Sequence, residues 1–209
     1  MEKSAIVLAG GRSKRFGLDK GLIKLAWRPL VLYVLDKVST VVDEIVVVVG
    51  SESQEKAYAP LLGQRAKTVV DKLEIQSPLI GTLTGLENVN GQYSLLLPCD
   101  TPFISSQIMP LLLEWCVNND AVIPQWPNDY LEPLQASYNT ESALAAARKA
   151  LKDGKLNMYS MISRLEKVRY ISTHALERID PRLMTFFNVN TPKDLKKAER
   201  ILQDMQTET

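Results

Sequence analysis

This 209-residue sequence has little cysteine, one histidine and no surplus of charge. Cys99 and Cys116 are its only thiols, and they form no C-x-x-C pair. With His174 as the single imidazole, a zinc centre of the usual Cys/His kind is excluded. Two thiols without a pairing pattern suit a reducing compartment. Lysine and arginine number 25 against 24 aspartates and glutamates, a net charge of +1. The basic excess of a nucleic-acid-binding module is therefore missing. No apolar run approaches the ~18 residues of a membrane span, and residues 5–9 are too short for the apolar core of a secretory signal. These absences predict a cytoplasmic chain with neither nucleic acid nor membrane as partner.

The remaining composition is that of an ordinary globular protein, 45% hydrophobic and 23% charged. At ~150 residues per domain the length predicts one domain over 1–209. Short apolar runs alternate with helix-like stretches. Residues 5–9 (AIVLA), 44–49 (EIVVVV), 67–70, 93–97 and 121–123 read as strands. The run at 44–49 is apolar on both faces, as in a central parallel strand. Helices are predicted over 29–40, 53–62, 78–89 and 105–118, with Ser77 as N-cap of the third. This rhythm predicts an α/β fold: a mostly parallel sheet with helices on both faces. The second half is less regular. Residues 124–133 hold three prolines around Trp126 and Tyr130 and read as an ordered loop. A strand over 134–138, a helix over 141–151, strands over 168–172 and 185–189, and a closing helix over 192–205 complete the reading.

The chemistry concentrates after the first strand, in LAGGRSKRFGLDK at 8–20. Between residues 12 and 28 stand six basic side chains, among them Arg15 and Lys20, and one acid, Asp19. Paired glycines let backbone N–H groups approach a phosphate, and lysine and arginine neutralise it. Neither G-x-G-x-x-G nor G-x-x-x-x-G-K-[ST] is present, so the loop itself must wrap the phosphates. A solvated basic turn is the plainer alternative. Position after a buried strand favours phosphate.

Asp100 follows a fourth apolar strand, in LLLPCDTPF at 95–103. Parallel sheets bind ligands at that edge, and Mg²⁺ is held by one or two carboxylates with substrate phosphates. SPLIGTLTGL at 77–86 carries Gly81 and Gly85 one turn apart on one helix face. Close packing on the sheet and close approach of a base explain that pair equally well. Asp71 ends the third strand and faces a ribose, a base or only solvent. Asn188 and Asn190, in FNVNTP at 187–192, are candidates for polar contacts at the sheet edge, with Thr191 as a helix cap before Pro192. Glu132 lies beside the aromatic loop, where an acceptor would bind. His174 has no evident partner and reads as structural.

Taken together, LAGGRSKRFGLDKGL at 8–22, SPLIGTLTGL, LPCDTPF, EPLQASY at 132–138 and FNVNTPKDL at 187–195 resemble nucleotidyltransferases of the molybdenum cofactor guanylyltransferase type. The resemblance spans nearly the whole chain. It implies a Rossmann-like three-layer sandwich of the nucleotide-diphospho-sugar transferase type, with a nucleotide-binding half over about 1–123 and an acceptor half over about 124–209. It implies GTP bound by Leu8, Ala9, Gly10, Lys20, Asp71 and Asp100, and Mg²⁺ on Asp100 with Asn190 as second ligand. Gly11 and Arg15 complete the phosphate loop, and Pro78 and Leu79 match the backbone segment that reads the base. Lys20, Arg15 and Asp100 take the catalytic positions, and Glu132 and Asn188 the acceptor side. Phe16 stands where the family usually has Met, and Ser51 falls near an Asn that contacts the nucleotide in some members. Related cytidylyltransferases read LAAG, so LAGG points to GTP.

The expected reaction is transfer of GMP to the phosphate of molybdopterin, with pyrophosphate leaving, and with cofactor-delivery or acceptor proteins as further partners. Another phosphorylated acceptor (CMP transfer to molybdopterin, a sugar phosphate or phospholactate) is the nearest alternative. A non-catalytic nucleotide-binding module is the alternative of a different class.

Overall fold

The structure, a computed structural model, describes residues 2–13, 18–71, 75 and 77–207. Seven strands form one sheet: β1 (Lys3–Leu8), β2 (Glu44–Val49), β3 (Lys67–Val70), β4 (Tyr93–Pro98), β5 (Ala121–Gln125), β6 (Ala136–Asn139) and β7 (Val168–Ser172). Their order is β7-β5-β6-β4-β1-β2-β3. All neighbours are parallel except β6, which runs antiparallel between β4 and β5. The predicted mostly parallel sheet is therefore present, and the sheet draws strands from both halves of the chain.

Both faces of the sheet are covered, which explains the continuous apolar runs. On β1, Ala5 and Val7 face one way; on β2, Ile45, Val47 and Val49 share that side. They pack under α1 (Leu30–Val38), α2 (Glu52–Leu62) and α4 (Ile108–Trp115). Ile6, Val46 and Val48 face the other way, against α3 (Pro78–Leu86), α5 (Thr140–Lys152) and α6 (Met158–Ile162). A four-residue helix, α7 (Thr173–Leu176), follows β7. The closing helix α8 (Pro192–Thr207) joins a small third cluster, in which Ala198 meets Ile23, Leu25, Leu30 and Val189.

Caps account for the helix starts. Ser77 Oγ accepts from Ile80 N at 3.2 Å, with Pro78 in the first turn of α3. Thr191 Oγ1 accepts from Asp194 N at 3.2 Å, and the Asp194 carboxylate accepts from Thr191 N at 2.8 Å. This reciprocal pair is a capping box with aspartate in place of the usual glutamate. The glycines of α3 serve packing. An added Cβ at Gly85 would collide with the Ile6 side chain of β1, and one at Gly81 would lie 3.3 Å from Leu8 Cδ2.

The strand expected over 185–189 is absent. Met184–Phe186 form a short 3₁₀ turn instead. The Asp180 carboxylate accepts from Thr185 N at 2.7 Å and from Thr185 Oγ1 at 2.8 Å, which folds the segment back locally. Side-chain capping of this kind competes with sheet pairing. The five-residue α6, too short to declare itself by periodicity, is additional to the sequence reading.

Gly85→Ala tests the packing account. Helix propensity alone favours alanine by about 1 kcal/mol, whereas overpacking a core costs ~1–3 kcal/mol. The expected result is a lower denaturant midpoint with an unchanged slope. A stabilised variant would show that Ile6 gives way freely.

Candidate functional site

The order of the strands places the site. From β1 the chain proceeds to β2 and β3 on one side, then returns to add β4 on the other. The strand order therefore reverses between β1 and β4, and crevices at the carboxyl ends of such strands are ligand sites. Leu8 and Pro98 are register partners there, and Cys99 N donates to Leu8 O at 3.2 Å. Gly10 and Asp100, each two residues further on, flank the same opening.

A cleft of about 740 Å³ occupies this rim. Leu8, Gly10, Gly11 and Lys20 line it from the β1 loop, and Asp71 and Pro78 from the β3–α3 connection. Asp100, Glu132, Asn188 and Asn190 line it from the other side. Ten of the expected positions thus share one cavity. Ala9 and Leu79 do not line it: both are buried, Ala9 beside the sheet and Leu79 in the core beneath α3. Arg15 lies outside the described residues.

The two glycines of the loop have different surroundings. A Cβ at Gly10 would lie 2.9 Å from the backbone nitrogen of Gly50, so glycine here lets two chains touch. Gly11 is exposed, with nothing within 4 Å of an added Cβ. Both line the cleft, but only at Gly11 would a Cβ meet open space.

Lys20 opens a 3₁₀ turn, Lys20–Leu22, and its N–H donates to Gly11 O at 3.4 Å, closing the neck of the loop. Its ammonium crosses the cleft. Nζ donates to Asp100 Oδ2 at 3.0 Å and to Asn190 Oδ1 at 2.7 Å. The Asp100 side chain is only 6% exposed. The Asn190 segment is fixed from two sides: Val189 N donates to Asp100 O at 2.9 Å, and Asn190 N to the Asp194 carboxylate at 3.1 Å. Beneath this group lies Cys99. Burial, with the Asp100 carboxylate next, pushes its thiol well up, so it stays protonated and unreactive.

On the opposite wall, Trp126 Nε1 donates to Glu132 Oε1 at 2.8 Å. Trp126 packs edge-on against Phe186 at 5.7 Å between ring centroids. Burial raises the Glu132 pKa above the ordinary carboxylate value, more than the indole donor lowers it. Asn188 Nδ2 donates to Phe186 O at 3.1 Å. Tyr130 on the aromatic loop, and Asn157, Met158 and Tyr159 at the start of α6, line the same end. No local pattern marks that α6 segment, whose Asn157 is spent as an N-cap, accepting from Ser160 N at 2.9 Å. His174 is far more exposed and pairs with Glu177 at 2.9 Å, as befits a surface group.

The donor set suits a hard cation. Asp100 and Asn190 offer two side-chain oxygens that converge on one positive centre, which in this structure is the Lys20 ammonium. Mg²⁺ prefers oxygen donors supplemented by phosphates. Among the described residues no group of three His, Cys, Asp or Glu side chains comes together. Nor, among the described residues, is any helix long and apolar enough to cross a membrane.

A cation and a carboxylate at a sheet switch point, beside an open glycine, define a nucleotide-handling α/β protein. The comparisons narrow this class. A profile of the MobA-like NTP transferase domain matches residues 5–168, and the chain belongs to that family. It is 33% identical to a probable molybdenum cofactor guanylyltransferase of Methanosarcina mazei, over 93% of this chain and 88% of that one. It is 31% identical to a molybdenum cofactor guanylyltransferase of Desulfosudis oleivorans, over 96% of each. A crystal structure of molybdopterin-guanine dinucleotide biosynthesis protein A from Archaeoglobus fulgidus superposes with a TM-score of 0.79 at 29% identity, covering 96% of this chain and 99% of that one.

Glu132 yields a prediction in pH. Between its ordinary pKa, about 4.3, and its raised folded value, the folded chain keeps a proton that the unfolded chain has lost. Its contribution to stability therefore falls as pH rises across that interval. Glu132→Gln keeps an oxygen for Trp126 and removes the titration. Its melting temperature relative to the parent is expected to climb from pH 4 to pH 7. A difference flat in pH would mean that Glu132 is well solvated.

Proposed function

We propose that this protein transfers GMP from GTP to the terminal phosphate of molybdopterin carrying molybdenum, and releases pyrophosphate. The observation that carries this reading is the contact of Lys20 with Asp100 and Asn190 on the rim where Gly10 and Gly11 stand. The names of the relatives supply the nucleotide and the acceptor. The β1–β2–β3 side of the cleft takes the nucleotide, with Gly11 and Lys20 on the phosphates and Asp71 and Pro78 toward the nucleoside. The side built from Glu132 and Asn188 takes the acceptor. This gives residues before about 123 the nucleotide and those after it the acceptor.

The acceptor phosphate needs no base, because its second pKa near 6 leaves it ionised at neutral pH. One of its oxygens bonds to the α-phosphorus of GTP as the bond to the bridging oxygen of the β-phosphate breaks. The departing pyrophosphate takes the electron pair. The protein contributes alignment and charge neutralisation. Lys20 balances the negative charge that grows on the leaving group, and the buried Asp100 keeps that ammonium aimed into the cleft. Asp100 and Asn190 would hold Mg²⁺ through the oxygen lone pairs that the Lys20 ammonium does not take, and the chemistry the ion would supply is to polarise the phosphate oxygens. Arg15 is assigned to the same phosphates from its place in the loop sequence. Nothing in this scheme needs a histidine.

The direct test is pyrophosphate release from GTP, CTP and ATP, each with and without molybdenum cofactor. Release is expected with GTP and cofactor together. Release with CTP in preference would reassign the nucleotide, and GTP binding without turnover on any acceptor would favour a non-catalytic module. Lys20→Ala should lower kcat by ~10²-fold or more, the scale of losing one preorganised donor. Asp100→Asn should abolish activity together with its response to Mg²⁺. Normal turnover in either variant removes that residue from the mechanism.

A further inference from the structure

Lys20 reaches Asp100 from a turn whose own support is unusual. The residue before it, Asp19, is partly buried and faces away from solvent toward α2. Among its partners, Gly21 N donates to its carboxylate at 3.2 Å, Tyr58 Oη at 2.5 Å and Gln54 Nε2 as well. Tyr58 is fully buried and Gln54 is 8% exposed. A phenol placed so deep needs a partner for its hydroxyl, and here that partner adjoins the lysine. Burial, with the Asp19 carboxylate that its hydroxyl meets after it, raises the Tyr58 pKa beyond any working pH, so the hydroxyl remains a donor.

Gln54 also acts in the other direction. Its Oε1 accepts from Gly50 N at 2.7 Å, and Gly50 is the residue against which Gly10 packs. One amide thus ties together both arms of the loop, the Gly10 arm through Gly50 and the Lys20 arm through Asp19. The fit at the turn is close. An added Cβ at Gly21 would collide with the Tyr58 oxygen and lie 3.3 Å from Cys99 Cβ. Residues 19–21 have no slack between α2 and the end of β4.

We propose that Gln54 and Tyr58 are positioning residues for Lys20, acting through the Asp19 carboxylate to hold its ammonium at the phosphate site. The physical reason is entropic. A lysine has a flexible stem and about 2 kcal/mol of rotamer entropy, so its placement depends on how firmly its backbone is held. The donors on Asp19 from Gly21, Gln54 and Tyr58 fix that backbone from one side, and Asp100 with Asn190 fix the ammonium from the other. The proposal rests on the reading of Lys20 as the cation that meets the nucleotide phosphates.

The test is a double-mutant cycle between Tyr58→Phe and Lys20→Ala, read by GTP dissociation constant, kcat and melting temperature. Tyr58→Phe should weaken GTP binding or lower kcat by ~3–10-fold, the scale of one net hydrogen bond. In the Lys20→Ala background the same change should leave both quantities unmoved, while the loss in melting temperature persists. A merely structural tyrosine would move melting temperature alone, and an effect of equal size in both backgrounds would mean that it does not act through Lys20. Either result overturns the proposal. If Tyr58→Phe does not fold, Gln54→Met is run through the same cycle with the same expectations. Should Lys20→Ala itself bind GTP and turn over normally, the functional reading fails first and the brace with it. An impaired Lys20→Ala beside an unimpaired Tyr58→Phe removes the brace alone.

Discussion

The site depends on one ammonium being held between two oxygens that the chain supplies from afar. Asp100 lies 80 residues beyond Lys20 and Asn190 lies 170 beyond it. Three segments must close on one point: the loop after β1, the end of β4 and the lead-in to α8. The sheet register accomplishes the first closure by setting Leu8 beside Pro98. The bond from Val189 N to Asp100 O accomplishes the second. With a net charge of only +1, the whole molecule does little to draw an anion in. Attraction for a triphosphate has to be local, and a partly buried cation in a cleft does this better than a scattered basic surface. Asp100 gains from the same contact, since a carboxylate this buried without its partner would be strongly destabilising.

Much of this arrangement was legible in the sequence, for a definite reason. A parallel strand covered on both faces must be apolar at every position, so 44–49 and 93–97 declare themselves without alternation. Polar residues that interrupt such runs at their carboxyl ends are then conspicuous, and Asp71 and Asp100 were found in this way. Gly10, Gly11 and Lys20 were found because they follow the first strand. What the sequence hid is whatever depends on distant partners. Residues 185–189 look β-forming until the Asp180 carboxylate takes Thr185. The strand expected over 134–138 runs Ala136–Asn139, and its antiparallel direction is set by insertion between β4 and β5. Gln54 and Tyr58 read as ordinary positions of a helix. Their partner Asp19 stands 35 and 39 residues earlier, and no local pattern marks such a pairing.

The paired glycines show how a motif read as one device is divided by the fold. Both glycines were expected to bring main-chain donors to phosphate. The structure gives Gly10 to the Gly50 contact and leaves Gly11 open. That division separates a rigid foundation from a receptive surface within two residues. Gly10 keeps the end of β1 against the end of β2. Gln54 carries the same restraint across to Asp19. The loop is then closed at its base by Lys20 N on Gly11 O and by the antiparallel pairing of Arg12 with Asp19. Gly11 and Lys20 are thereby held before any ligand arrives, so placing them on a nucleotide costs less ordering.

The acceptor end is built differently. It is formed by the 126–135 loop, the first turn of α6 and the 188–190 segment; α6 is capped locally, and the other two meet through Trp126 on Phe186. These pieces share no common brace of the Gln54 kind among the described residues. Substitution in the 126–135 loop or in α6 can therefore reshape that wall with no direct contact to Lys20. The 188–190 segment is different: Asn190 bonds Lys20 and Val189 N bonds Asp100 O, so it joins the two ends of the cleft and is the less free to change.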